Sequence, residues 1–315
     1  MTIVNIQHQS GELEKSHAAL SSVLAAVVLT TFKIVVGLMT GSLGILAEAA
    51  HSGLDLVAAL VTFLAVRLSG KPADSDHPYG HGKIENLSAL FETLLLLITC
   101  VWIIYEAIIR LFYKPAEIDV SIWGFIVMLT SIGIDFSRSR MLYRAARKYR
   151  SQALEADALH FSTDIWSSSV VIVGLLLVLV SEKVPSLRFL RQADAVAALG
   201  VALIVIYISI QLGIRTVQAL LDSAPVGLAE EIKTAVETVP GVANCHNVRL
   251  RHSGPSYFID VHVLLDGEQS LNEAHALTET IEDAINKILP EADVTVHPEP
   301  LVEESISVGD GGDPS

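Results

Sequence analysis

The stretch "AEAAHSGLD", residues 47–55, breaks an apolar run with Glu48, His51 and Asp55. A charged side chain at the centre of a bilayer costs about 3 kcal/mol on insertion scales, so three ionisable groups in one run need a partner or a purpose. A second stretch, "ADALHFSTD" at 156–164, repeats the pattern: His160 and Asp164 stand four apart, as do His51 and Asp55. Four-residue spacing sets both side chains of each pair on one helix face, one turn apart. Two such pairs facing each other supply two imidazoles and two carboxylates. That set suits tetrahedral Zn²⁺, whereas Mg²⁺ would take oxygen ligands and keep waters. The competing reading is a pair of interhelical hydrogen bonds that stabilise a bundle.

Composition places these helices in a membrane. The chain has 315 residues and 51% hydrophobic content, with a mean hydropathy of +0.50, which suits a membrane protein carrying a soluble piece. Six runs are long enough to span hydrocarbon: 18–40, 43–68, 84–112, 119–142, 153–181 and 194–221, a transmembrane region over 18–222. The N-terminal segment 1–17 lacks the basic start and cleavage site of a signal peptide and reads as retained and cytoplasmic. After the fourth run comes a basic cluster of Arg138, Arg140, Arg144, Arg147, Lys148 and Arg150, which belongs inside; an even span count then puts both termini inside. The loop "SEKVPSLRFLRQ" opposes this with Lys183, Arg188 and Arg191, and the larger cluster decides. A net charge of −14 argues against a nucleic-acid partner. Cys100 and Cys245 lie far apart, so no disulfide framework is implied and a reducing compartment fits.

Residues 223–300 change to a mixed polar pattern in the order helix, strand, strand, helix, strand. This αββαβ order predicts an α+β domain, an antiparallel sheet with both helices on one face. An acidic tail, 301–315, reads as disordered. Two further groups have metal-ligating chemistry. Asp74, His77 and His81 sit among Pro and Gly in "KPADSDHPYGHGKIE", free of helical constraint. The 223–300 domain holds His246, His252, His262, His275 and His297, five of the chain's 11 histidines, with Glu299 two residues past the last. A solvated turn and scattered surface histidines are the alternatives.

The paired H-x-x-x-D motifs, the loop "DHPYGHGKIE", six spans and the αββαβ domain together resemble the cation diffusion facilitator family, and within it the bacterial iron and zinc efflux branch, over residues 15–300. The resemblance implies a ferredoxin-like cytoplasmic domain. It implies a transport site of His51, Asp55, His160 and Asp164, a loop site of Asp74, His77 and His81, and a binuclear cytoplasmic site of His246, His262, His275, His297 and Glu299. It also implies a salt bridge between Lys83 and Asp222, a homodimer in the inner membrane, and export of Zn²⁺ against protons, with regulatory Zn²⁺ in the cytoplasmic domain. Fe²⁺, Cd²⁺, Co²⁺ and Mn²⁺ are alternative cargoes, and a non-transporting membrane metal sensor is the alternative class. Two positions depart from the branch: His51 stands where an aspartate is common, and Glu299 where an aspartate is usual. An intramembrane metallohydrolase would show H-E-x-x-H, which this chain lacks; an enzyme is not expected. Glu48, Asp135 and Asp157 are candidates for a proton path, with no role assigned.

Overall fold

Gly41 and Ser42 turn the chain between its first two helices. Gly41 takes a left-handed backbone, φ 64, and the Ser42 hydroxyl accepts the Ile45 amide at 3.4 Å, capping the second helix. The computed structural model describes residues 2–112, 122–183, 193–290 and 292–301. It divides into two compact units, Met1–Val217 and Gln218–Ser315. Part of the "SEKVPSLRFLRQ" loop, the first residues of the fourth expected span and almost all of the acidic tail lie outside the described residues.

Six helices run through the first unit: α1 Thr2–Thr40, α2 Leu43–Ser69, α3 Lys83–Phe112, α4 Ile122–Tyr149, α5 Gln152–Lys183 and α6 Ala193–Leu220. Its inside and outside are inverted relative to a soluble protein. Leu38, Ile98, Trp102, Leu129 and Ile204 are exposed, while Ser22, Thr62, Glu92, Asp157 and Ser209 are buried. Such a surface suits hydrocarbon as its solvent. Helices meet along small residues: Ala19, Ala59, Ala146, Ala153 and Ala158 share a core with Leu142, Leu154 and Phe161. A Cβ on Gly37 of α1 would come within 2.7 Å of the Leu46 side chain of α2, so a larger residue there would force that leucine to move.

Among the described residues, four helices are long and apolar enough to cross a membrane: Gly11–Thr40, Leu43–Ser69, Lys83–Ile109 and Leu199–Leu220. Four of the six expected spans meet this measure, and the other two are not confirmed by it. α4 carries Asp135 and Arg138 inside its apolar half, and the side chains of much of the apolar half of α5 lie outside the described set.

α1 also starts at Thr2, well before the apolar run at 18–40. Its polar residues are anchored. Lys15, 1% exposed, reaches Glu12 at 2.7 Å and Glu85 at 2.8 Å. Glu85 also accepts the hydroxyls of Ser69, at 2.9 Å, and of Ser151. One buried carboxylate thus ties α1, the end of α2, the start of α3 and the residue before α5.

The second unit has the order α7 Leu228–Glu237, β1 Asn244–Ser253, β2 Ser256–Leu265, α8 Leu271–Ile288 and β3 Asp293–Pro300. β1 and β2 form an antiparallel hairpin, and β3 lies parallel on the other edge of β2. The sheet is mixed where an antiparallel one was expected, because the β2–β3 connection runs through α8, and a helical crossover returns the chain in parallel. Ser270 caps α8 with a reciprocal Glu273 contact. Ile232 and Val236 of α7 and Ile281 and Ile285 of α8 pack with Ile259, Val261, Val263 and Leu265, so both helices cover one face. Strand alternation sends the intervening residues to the other face.

Replacing Lys15 with Ala should leave Glu85 buried without its cationic partner, costing about 3–5 kcal/mol and lowering the thermal unfolding midpoint of the solubilised protein. Lys148→Ala, which removes an exposed ion pair to Glu14 and a contact with the Tyr149 ring, should leave that midpoint nearly in place.

Candidate metal centres

The two H-x-x-x-D motifs meet inside the first unit. Asp55 falls on the buried stripe of α2 with Ile45, Ala49, Ser52, Ala59 and Thr62, and α5 is buried almost all round between Ala153 and Thr163. His160 Nε2 lies 3.2 Å from Asp55 Oδ1 and 3.7 Å from Asp164 Oδ2. His51 Nε2 lies 3.9 Å from one oxygen of each aspartate. Donors bound to one tetrahedral Zn²⁺ at ordinary bond lengths stand roughly 3.3–3.5 Å apart. Donor atoms of His51, Asp55 and Asp164, one from each, lie within 4.8 Å of one another, and His160 approaches both aspartates. Of these four side chains three are recessed and one forms a lip: the His51 side chain is 42% exposed, that of His160 only 6%.

Charged residues surround this group, and the sequence reading passed over several. Lys33 of α1 donates to Ser52 at 2.8 Å and pairs with Glu48 at 3.2 Å. Arg138 of α4 reaches Asp135 at 3.3 Å and Ser22 at 3.1 Å, and stacks 3.5 Å over the ring of Phe161, the neighbour of His160. Glu92 of α3 accepts from Thr62 at 2.9 Å. Lys33 in "TTFKIVV" and Glu92 in "ALFETLLLL" are charges in apolar runs, the same signal that singled out Glu48.

The loop between α2 and α3 gathers a second group. Asp74 Oδ1 accepts the amides of His77 at 2.8 Å and Asp76 at 3.1 Å, folding the loop around its own carboxylate. Gly80, φ 75, closes the turn. His77 Nδ1 then sits 3.4 Å from Asp74 Oδ1 and His81 Nε2 3.5 Å from Asp74 Oδ2, with the two rings 4.4 Å apart. The His77 amide, helped by that of Asp76, holds the Asp74 carboxyl below its ordinary range. It is therefore an anion ready for a cation.

In the second unit, strand register does the gathering. His246 of β1 pairs with His262 of β2, and His262 with His297 of β3, on the face away from the helices. A bulge after His246, with Asn247 at φ 49, lets the Asn247 side-chain amide lie 3.1 Å from His262 Nε2. Glu299 reaches across the row: 2.7 Å to His262 Nδ1, 3.3 Å to His246 Nε2 and 3.7 Å to His297 Nε2. The hydrogen bond from His262 comes first among the contacts that hold its carboxyl below the usual range. The extra methylene of glutamate is what lets one carboxylate touch three strands. His275 stands apart, exposed on α8 beside Glu279 at 3.7 Å. His252 lies further along β1, its ring 5.9 Å from that of Tyr257. Lys83 opens α3 in the first unit, and Asp222 follows α6 with φ 59 in the second.

Residues 19–221 match the model of the cation efflux transmembrane domain, and residues 227–301 that of the cation efflux protein cytoplasmic domain. The cation-efflux pump FieF of Cronobacter sakazakii is 33% identical over 296 residues, covering 94% of this chain and 95% of that one. FieF of Klebsiella pneumoniae is 32% identical over 286 residues, covering 90% and 92%. Among solved structures, the metal-bound C-terminal domain of the CzcD transporter from Thermotoga maritima is 38% identical, covering 23% of this chain and 86% of that one, with a TM-score of 0.22.

Removing the central imidazole of the sheet cluster by His262→Ala should weaken Zn²⁺ binding to the isolated second unit at least about tenfold, whereas His252→Ala should leave it unchanged. Calorimetry on fragment 218–301 reads both. Binding should weaken as the pH is lowered, since protons compete with metal for imidazole donors.

Proposed function

This chain belongs to the cation efflux family and is a divalent-cation efflux transporter of the membrane; from that premise we propose that its cargo is Zn²⁺, exported from the cytoplasm in exchange for protons. The observation that supports the reading is that His51 and His160 each lie within 4 Å of both Asp55 and Asp164, across two helices. Two carboxylates balance the charge of a divalent ion, and two imidazoles favour zinc over harder cations. With aspartate in place of His51 the set would hold three oxygens for one nitrogen and suit Fe²⁺ or Cd²⁺ better.

In this reading all six helices of the 18–222 region cross the inner membrane, with both termini in the cytoplasm. α2 and α5 rock against each other, so that the donor spacing opens on one side and closes on the other. Protons compete with metal for His51 and His160, which lets an inward proton gradient drive the ion out. The loop trio Asp74, His77 and His81 binds metal beside the membrane region. The domain at 223–300 is regulatory: His246, His262, His297 and Glu299 hold metal on its sheet face, and His275, on the helical layer, joins a site only through a second copy. Metal that binds the paired form stabilises it by mass action, about 2.7 kcal/mol at a hundredfold excess over Kd.

Zn²⁺ flux into proteoliposomes tests the assignment. Asp55→Ala and Asp164→Ala should each abolish it while leaving a folded, inserted protein, because a four-donor site has no spare ligand. Wild-type flux from either would reject the site, and no flux from the wild type would favour a sensor. His51→Asp should widen the competing ions toward Fe²⁺ and Cd²⁺; an unchanged ranking would place selectivity elsewhere.

A further inference from the structure

Two buried carboxyl groups in the first unit belong to none of the three clusters. Glu92 of α3 and Asp157 of α5 are both fully buried. Each has one oxygen met by a neutral hydroxyl: Thr62 to Glu92 Oε1 at 2.9 Å, and Ser22 to Asp157 Oδ2 at 3.4 Å. The other oxygen of each, Glu92 Oε2 and Asp157 Oδ1, is buried with no hydrogen-bond partner among the described residues. Elsewhere in the same unit the fold treats a buried carboxylate differently. Glu85, equally buried, has the Lys15 ammonium and two hydroxyls, and Asp135 has Arg138. A buried carboxylate with one neutral donor and no cation against it is costly to keep ionised, and holding a proton removes that cost.

Their neighbours tie them to the four-donor site. Asp157 precedes His160 by three residues, so the two share a helix face. The charged groups acting on Asp157 include Glu92 from α3, Arg138 from α4 and His160 on its own helix. Arg138 directs its guanidinium to Asp135, Ser22 and the Phe161 ring, and meets Asp157 through the Ser22 hydroxyl. Those acting on Glu92 include His160 and Asp164 from α5 and Asp55 from α2. Asp55 and Asp164 carry the same sign of charge as an ionised Glu92, and a dication held between them offsets their charge.

We propose that Glu92 and Asp157 are carboxylic acids while the four-donor site holds no metal, and that they give up protons when a divalent cation enters it. Each O–H bond breaks heterolytically, the proton passing to water and the charge staying on the carboxylate, and departure of the ion reverses the step. The pair thereby adds to the exchanged protons without touching the cargo. This rests on the antiport reading above.

The test uses the full chain in detergent and in proteoliposomes. Calorimetry of Zn²⁺ binding in buffers of different ionisation enthalpy counts protons released per ion, and flux is measured with and without an imposed pH gradient. Glu92→Gln and Asp157→Asn, near-isosteric and neutral, should each bind Zn²⁺ within about threefold of wild type yet release about one proton fewer where the acid had been fully protonated. Their flux should lose part of its acceleration by the gradient. Glu92→Asp and Asp157→Glu, which keep a titrating acid, should restore the count. A wild-type proton count in both amide variants would overturn the proposal while leaving antiport standing. Loss of Zn²⁺ binding in the amide variants would overturn it too, making the acids structural. A wild type that releases no protons and ignores the gradient would overturn the antiport reading and this inference together.

Discussion

A charge inside a bundle of apolar helices must meet an opposite charge, a set of donors or a proton, because the surrounding hydrocarbon offers no water to solvate it. That constraint organises the first unit. Lys15 and Glu85 answer each other and in doing so fasten four segments at one point. Arg138 and Asp135 do the same within α4, with the guanidinium plane laid on Phe161. At the proposed transport site two aspartates face two imidazoles, and under the proposed antiport the compensating charge would come from a dication or from protons.

The second unit solves the gathering problem by other means. In the bundle, four-residue spacing on two helices brings the donors together. In the sheet, hydrogen-bond register lines up His246, His262 and His297 across three strands, and a bulge turns Asn247 toward the middle one. A one-residue slip of β3 would send His297 and Glu299 to the helix-covered face, so the parallel pairing set by the α8 crossover is also what makes the cluster. Register is a backbone property, and here it carries ligand chemistry.

Much of this was legible in the sequence. Charges in apolar runs and the repeated H-x-x-x-D spacing pointed to α2 and α5, because helical period is local and survives without knowledge of the partner. The loop trio was legible for a similar reason: Asp74, His77 and His81 lie within eight positions and the turn residues sit between them. The helix and strand order of the second unit followed from its periodicity, whereas sheet direction did not, since pairing depends on where a crossover lands.

What the tertiary structure alone decided is which groups face one another at distance. Lys15 meeting Glu85 across 70 positions, Glu299 reaching three strands while His275 remains on the helical layer, and Glu92 and Asp157 left with one neutral hydroxyl each could not be read from spacing. Nor could the helical continuation of α1 back to Thr2. The sequence by itself determined the class of protein and the helices that bear the candidate donors, since composition and helical period are properties of the chain alone. Packing decided which of the remaining charges meet a partner and which do not, because pairing depends on neighbours that only the fold supplies.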